Sequence, residues 1–367
     1  MNGTIRVGNL FGIPFYVHPS WFLVLGLVTW SYGGGVAAQF PQLSGGFPWV
    51  LGFIAALLLF ASVLAHELGH SFVAIRQGIE VKSINLFLFG GLANLEKESS
   101  TPEAAFWVAI AGPLVSLVLF GLLTLIGIGT GVSGPLAAIL GLLASINLAL
   151  ALFNLIPGLP LDGGNILKAI VWKITGNPYK GVVFAGRVGQ IIGWVAIASG
   201  LFLGQFWNLL VGWFLLQNAG RAAQTARVQD KLAGLKAEDA VTPNSPIVPA
   251  ELSLREFANE YIIGKGNWSR FLVTDEEGQL VGAIAVDDLK TISTSQWPET
   301  QVKELMQPCQ LDTTVKSDQS LLEVVTLLEQ QKLTQLPVIR ENGVLVGILE
   351  KAYIISLLQK RAQANPA

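Results

Sequence analysis

The stretch LAHELGHSFVA brings together His66, Glu67 and His70, three residue types that do metal chemistry. Histidines four apart share one face of a helix. Two neutral imidazoles so placed can bind one Zn²⁺, with Glu67 beside them as a candidate base. The surroundings make this group expensive. From Pro19 to Ala65 the chain has no Lys, Arg, Asp or Glu. Ionisable side chains at the end of such an apolar run are costly in a membrane and point to function.

A catalytic zinc keeps three protein ligands and one open position. The sequence has only three histidines, so the third ligand is His18 or a carboxylate. His18 precedes the first apolar run, beside Pro19, and reads as interfacial or structural. The carboxylate candidate is Asp162 in NLIPGLPLDGGN, the first charge after an uncharged run from Ala104 to Leu161. Pro157, Gly158, Pro160, Gly163 and Gly164 interrupt the helix there. Non-helical backbone at membrane depth is tolerated only inside protein or along a wet cavity. A plain Pro/Gly turn, with Asp162 capping the next helix, fits the same residues. Asn147 and Asn154 lie just upstream. Either suits a helix-to-helix hydrogen bond, and Asn154, near the broken segment, also suits donation to an oxyanion.

The elements that must hold these residues are membrane helices. The chain is 51% hydrophobic and 13% charged, against about 25% charged in soluble proteins. Runs of about 18 or more apolar residues are span candidates. Six spans are expected, at 19–35, 47–75, 103–129, 134–155, 187–203 and 206–220. Trp21, Trp49, Trp107, Trp194 and Trp207 fall towards span ends, where amphipathic rings prefer the interface. Loops on one side carry Arg6, Arg76, Lys82, Lys97, Lys168, Lys173, Lys180, Arg187 and Arg221, and the opposite turns carry no Lys or Arg. The positive-inside rule puts the charged loops and both termini in the cytosol. The N-terminus lacks the basic region and cleavage site of a signal peptide. After the second span, VKSINLFLFGGLANLEKE holds two strand-forming runs about Gly90 and Gly91, which predicts a hairpin with an exposed edge. The net charge of −2 gives no basic surface for nucleic acid. The single cysteine, Cys309, excludes an internal disulfide and a cysteine-based metal cluster.

Beyond Arg221 charges recur every few residues, and an internal repeat begins. Val241-Thr242-Pro243 corresponds to Met306-Gln307-Pro308, Phe271-Leu272-Val273 to Leu336-Pro337-Val338, and Leu280-Val281-Gly282 to Leu345-Val346-Gly347, at a constant offset of 65. Each copy reads as a β-α-β-β-α unit. The expected fold is a polytopic α-helical membrane protein with a membrane-surface β-hairpin, followed by an α/β tandem module. Its parts are a membrane domain at 1–222, a linker at 223–235, and two repeats at 236–297 and 298–362.

HELGH in one span and NLIPGLPLDGG in a later one resemble the paired motifs of site-2 proteases, the intramembrane zinc metalloproteases. VGNLFGIPFYVHPSW and FGGLANL resemble the branch with C-terminal CBS domains, and the repeat resembles a CBS pair. The resemblance covers nearly the whole chain, without the PDZ-like insertion of other branches. It implies that His66, His70 and Asp162 bind one Zn²⁺, that Glu67 is the general base, and that Asn154 stabilises the oxyanion. Gly90 and Gly91 lie where an unwound substrate would be received as an added strand. The implied substrates are membrane-spanning segments of regulators such as an anti-sigma factor or a membrane-tethered transcription factor, in a prokaryotic plasma membrane.

CBS pairs often bind adenine nucleotides. Asp288 in GAIAVDD matches the family's ribose-binding acid, but Ala285 replaces its hydroxyl, and the second copy has Glu350 and Tyr353 in those places. A dimerisation or docking module, giving a homo-oligomer, is the competing expectation for the pair. Competing expectations for the whole chain are a CBS-regulated transporter or channel, and a zinc-binding membrane sensor without hydrolysis. Glu67 argues against both, since neither needs a base beside the histidines.

Overall fold

The computed structural model describes residues 3–87, 90–263, 268–308 and 314–364. They form two compact units, Met1–Arg227 and Val228–Ala367. Leu88, Phe89 and Cys309 lie outside the described residues.

The first unit opens with two strands, β1 (Ile5–Leu10) and β2 (Ile13–Val17). They are joined by Phe11 and Gly12, both at positive φ. Left-handed φ at both positions of a two-residue turn matches the twist of a hairpin. Helices α1 (Ser20–Gln39) and α2 (Phe47–Arg76) follow. Next come β3 (Val81–Phe87) and β4 (Gly90–Leu95). Helices α3 (Pro102–Gly129), α4 (Pro135–Asn154), α5 (Asp162–Thr175), α6 (Pro178–Leu203) and α7 (Phe206–Ala233) complete the order.

The four strands form one sheet in the order β1-β2-β3-β4. Strands β2 and β3 run parallel, and the outer pairs are antiparallel. Ile13, Val17, Ile84 and Leu86 of the sheet pack with Ala74 near the end of α2. The sheet therefore sits on the part of α2 that carries HELGH. The hairpin expected about Gly90 and Gly91 forms, but both glycines belong to its second strand, opposite Phe87 and Leu86. Strands β1 and β2 were not anticipated.

Among the described residues, five helices are long and apolar enough to cross a membrane: α1, α2, α3, α4 and α6. The sixth expected span corresponds to α7. Gln217, Asn218 and Arg221 interrupt its apolar character, and it runs on through charged residues to Ala233, so it does not join the five. Leu125 and Ile128 of α3 and Ile191 and Phe202 of α6 are exposed. Such faces suit lipid rather than water. The helices approach one another through small residues, as membrane helices do. A Cβ on Gly52 of α2 would lie 2.6 Å from the Thr29 carbonyl oxygen of α1.

The segment after α4 is held by α6. The Leu159 N–H donates to the Ala185 carbonyl at 3.2 Å, so this irregular backbone finds its partner inside protein. A Cβ on Gly158 would lie 2.7 Å from Gly189 Cα, and Cβ atoms on Gly163 or Gly164 would strike the backbone of residues 155–159. These glycines let the first turn of α5 fold back on the loop. Gly176 at left-handed φ then ends α5, and Asn177 caps α6 by accepting from the N–H groups of Tyr179 and Lys180. Pro178 supplies the N1 position, where its missing donor costs nothing.

The second unit contains β5 (Ile247–Pro249), α8 (Leu254–Phe257), β6 (Arg270–Thr274) and β7 (Leu280–Ala285) in its first copy. The second copy contributes α9 (Val302–Leu305), β8 (Gln307–Pro308), β9 (Val315–Lys316), α10 (Leu321–Gln330), β10 (Gln335–Ile339), β11 (Leu345–Glu350) and α11 (Lys351–Ala364). The sheets run β5-β6-β7-β8 and β9-β10-β11. Strand β8 thus comes from the second copy but pairs with β7 of the first, Pro308 opposite Gly282. Val241 of the first copy pairs reciprocally with Leu349 of β11. The glycine of each LVG lies beneath the crossing lead. A Cβ on Gly282 would be 2.8 Å from the Gln307 carbonyl oxygen; one on Gly347 would strike Val241 and lie 2.7 Å from Ser245 Oγ.

Candidate metal centre

Helix α2 presents His66 and His70 one turn apart, and the first residue of α5 is Asp162. The three side chains converge. His66 Nε2 is 3.1 Å from Asp162 Oδ2, His70 Nε2 is 3.3 Å from the same oxygen, and the two Nε2 atoms are 3.3 Å apart. Ligand atoms about 2.0–2.1 Å from a tetrahedral zinc stand about 3.3 Å from one another. The spacing of the three donors therefore fits a zinc ion.

The imidazoles are oriented from behind by α3. The Val108 carbonyl is 2.6 Å from His70 Nδ1. A carbonyl only accepts, so Nδ1 carries the proton and Nε2 keeps its lone pair towards Asp162. His66 Nδ1 is 2.9 Å from Ser116 Oγ, whose hydroxyl can accept the corresponding proton. Pro113 lies inside α3, and its missing N–H leaves the Ala109 carbonyl without its helix donor. Gly112 makes room for the pair. A Cβ there would strike His70 Nε2 and lie 2.7 Å from His66 Nε2. The cradle is thus one that only glycine leaves open.

Asp162 is the first residue of α5, not its cap, which is Leu161. Its side chain is turned to the histidines.

Glu67 is buried beside the pair, against the end strand of the sheet. A Cβ on Gly91 would strike Glu67 Cγ and lie 2.7 Å from Cδ, and the Ala93 N–H interacts with the carboxylate. A cavity of about 740 Å³ joins these groups; Glu67, Gly90, Gly91, Asn154 and Asp162 all line it. That volume is in the range of ligand sites. Asn154 is the last residue of α4.

Not every candidate gathers there. His18 Nδ1 pairs with Ser20 Oγ at 2.8 Å ahead of α1, and His18 is not part of the metal group. Asn147 is fully buried and bonds Ser62 Oγ and the Leu143 carbonyl, linking α4 to α2. In the second unit, Asp288 accepts from the Ala285 N–H at 2.9 Å, capping the turn after β7. Sequence reasoning missed Ser116, Val108 and Gly112. The signal available for them was slight: a Gly-Pro pair and one of two hydroxyl residues in a largely apolar helix.

Comparison with known proteins adds the family context. Residues 54–133 and 125–198 match the model of peptidase family M50, and residues 237–294 and 302–360 match the CBS domain. A relative from Synechocystis sp., named as a zinc metalloprotease, is 63% identical over 369 residues, covering 99% of this chain and 97% of that protein. A zinc metalloprotease of Methanocaldococcus jannaschii is 31% identical, covering 97% of this chain and 96% of that protein. A solved site-2 protease from the same archaeon is 31% identical, covers 60% of this chain and 95% of that one, and superposes with a TM-score of 0.44.

Proposed function

The chain belongs to peptidase family M50, the site-2 protease type of zinc metalloprotease, and carries a tandem pair of CBS domains; from that premise we propose that it cleaves the membrane-spanning segments of membrane-anchored regulatory proteins. The observation that carries this reading is the convergence of His66, His70 and Asp162, from segments 96 residues apart, at zinc-ligand spacing beside Glu67.

His66, His70 and Asp162 would hold the zinc ion, which when bound supplies Lewis acidity towards a water and the scissile carbonyl. Glu67 takes a proton from the attacking water and returns it to the leaving nitrogen. Its burial keeps bulk water from competing for that proton. The side-chain amide of Asn154 donates to the carbonyl oxygen as that atom gains charge. A helical substrate hides its carbonyls in its own hydrogen bonds, so it must unwind to be cut. Strand β4 ends the sheet among the described residues, and it offers its free edge along the cavity wall at Gly90 and Gly91. An unwound segment pairing with that edge would lie across Glu67.

The substrate class is a membrane-tethered regulator such as an anti-sigma factor or a transcription factor. The termini and the CBS pair lie in the cytosol of a prokaryotic cell. The pair regulates the protease through an adenine nucleotide, with Asp288 at the ribose, or through homo-oligomerisation. The deciding experiment is cleavage of a model single-span substrate in liposomes, comparing wild type with Glu67→Gln at equal zinc content. Loss of cleavage with zinc retained is expected. Undiminished cleavage by the variant would remove Glu67 from the chemistry.

A further inference from the structure

Helix α5 carries more than Asp162 into the cavity. Asn165, Lys168 and Trp172 line it as well. Their spacing from Asp162 keeps them on one face of the helix. Among the described residues that line the cavity, Lys168 is the one lysine or arginine. Its side chain is only 14% exposed, and its Nζ is 2.6 Å from Glu98 Oε2. Glu98 is its opposite in setting: it lies between β4 and α3 with its side chain 82% exposed.

A largely buried ammonium must have a counter-charge. An exposed carboxylate loses little by returning to water. The pair is therefore asymmetric: the lysine needs an anion, and Glu98 is readily exchanged for another. We propose that Lys168 is a subsite for an acidic group of the substrate, and that Glu98 holds the place until substrate arrives. This rests on the protease reading above.

The distances fix where the acidic group falls. Six residues of helix separate Asp162 from Lys168, a rise of about 9 Å. An extended chain covers that length in about three residues. The other wall gives a similar measure. Strand β4 runs from Gly91, against Glu67, to Leu95, a length of about 13 Å, and the chain then reaches Glu98. A substrate strand lying along β4 would thus carry a side chain to Lys168 three or four residues from the bond that is cut. Glutamate or aspartate at that distance is the specificity element this site reads.

The test uses the full-length Glu67→Gln protein in detergent and fluorescent peptides from a model substrate whose cleavage site has been mapped with wild type. One peptide series moves a single Glu along the sequence; a matched series carries Gln. Binding tighter by about tenfold is expected for Glu three or four residues from the cleaved bond, the size of one charge-assisted hydrogen bond. Adding Glu98→Gln tightens the Glu peptide further and leaves the Gln peptide unchanged. Adding Lys168→Met removes the preference. Should that variant fold poorly, the exchange Lys168→Glu with Glu98→Lys keeps the pair and should shift the preference to a Lys peptide. Equal shifts for Glu and Gln peptides would overturn the proposal and leave the pair a mere tie between α5 and the segment before α3. Absence of cleavage by wild type on any substrate would count against the protease reading; on peptides from a single-span segment, a Glu-over-Gln preference at one position that Lys168→Met abolishes would still support this one, and no such preference would overturn it.

Discussion

Both units use glycine to let two parts of the chain touch, and they use the contact differently. In the membrane unit, Gly112 and Gly91 lie against reactive side chains, the His66–His70 pair and Glu67. In the second unit, Gly282 and Gly347 lie under lead segments contributed by the opposite repeat. The missing Cβ makes space for chemistry in one case and for a fold in the other. A close approach is thus informative only together with what approaches. Where it is a titratable side chain, the glycine belongs to a site; where it is backbone or an apolar lead, it belongs to the architecture.

The contrast can be broken by substitutions at matched positions. The largest effect is expected for Gly112→Ala. Its methyl group would enter the space between the imidazoles and the ion, so zinc content falls to background and cleavage with it, while hydrogen exchange in residues 237–360 is unchanged. Ser116→Ala should lower zinc affinity by about 10- to 100-fold, the usual cost of losing a group that orients a ligand, read by competition with a chelator. Gly347→Ala should weaken the second unit by about 1–3 kcal/mol through overpacking. Faster hydrogen exchange across β11 would show it, and zinc content should not change. Zinc lost from Gly347→Ala would end the division of roles. The smallest effect is expected for Asp288→Ala, about 0.5–2 kcal/mol from a lost cap, again without loss of zinc.

What could be read in the sequence follows the same division. His66, Glu67, His70 and Asp162 stand out because a charge in an apolar run is rare and costly. The repeat stands out because its register is unbroken. Groups that act by shape leave no such mark. Gly112 is one of many glycines in apolar helices, and the Val108 carbonyl belongs to no residue type at all. Helix α5 was expected only as the helix that Asp162 would cap, without a range, because an amphipathic segment between spans resembles a loop when only charge and hydropathy are weighed. The end of α6 at Leu203 was expected, but its start at Pro178 was not, since Lys180 argues against a span there. The cap at Asn177 and the proline that follows decide the boundary instead.

The exchanged leads also set an order of events during synthesis. Strand β7 gains its outer neighbour only when Gln307 and Pro308, near the start of the second repeat, have been made. Val241, near the start of the first repeat, waits for Leu349. On the ribosome neither repeat can finish alone. The first emerges with an open edge and an uncovered Gly282, which the start of the second repeat covers, and Val241 finds its partner only when β11 has appeared. A stop codon before Gln307 would leave β7 without its outer neighbour, and one before Leu349 would leave Val241 without its partner, although every residue of the first copy would be present.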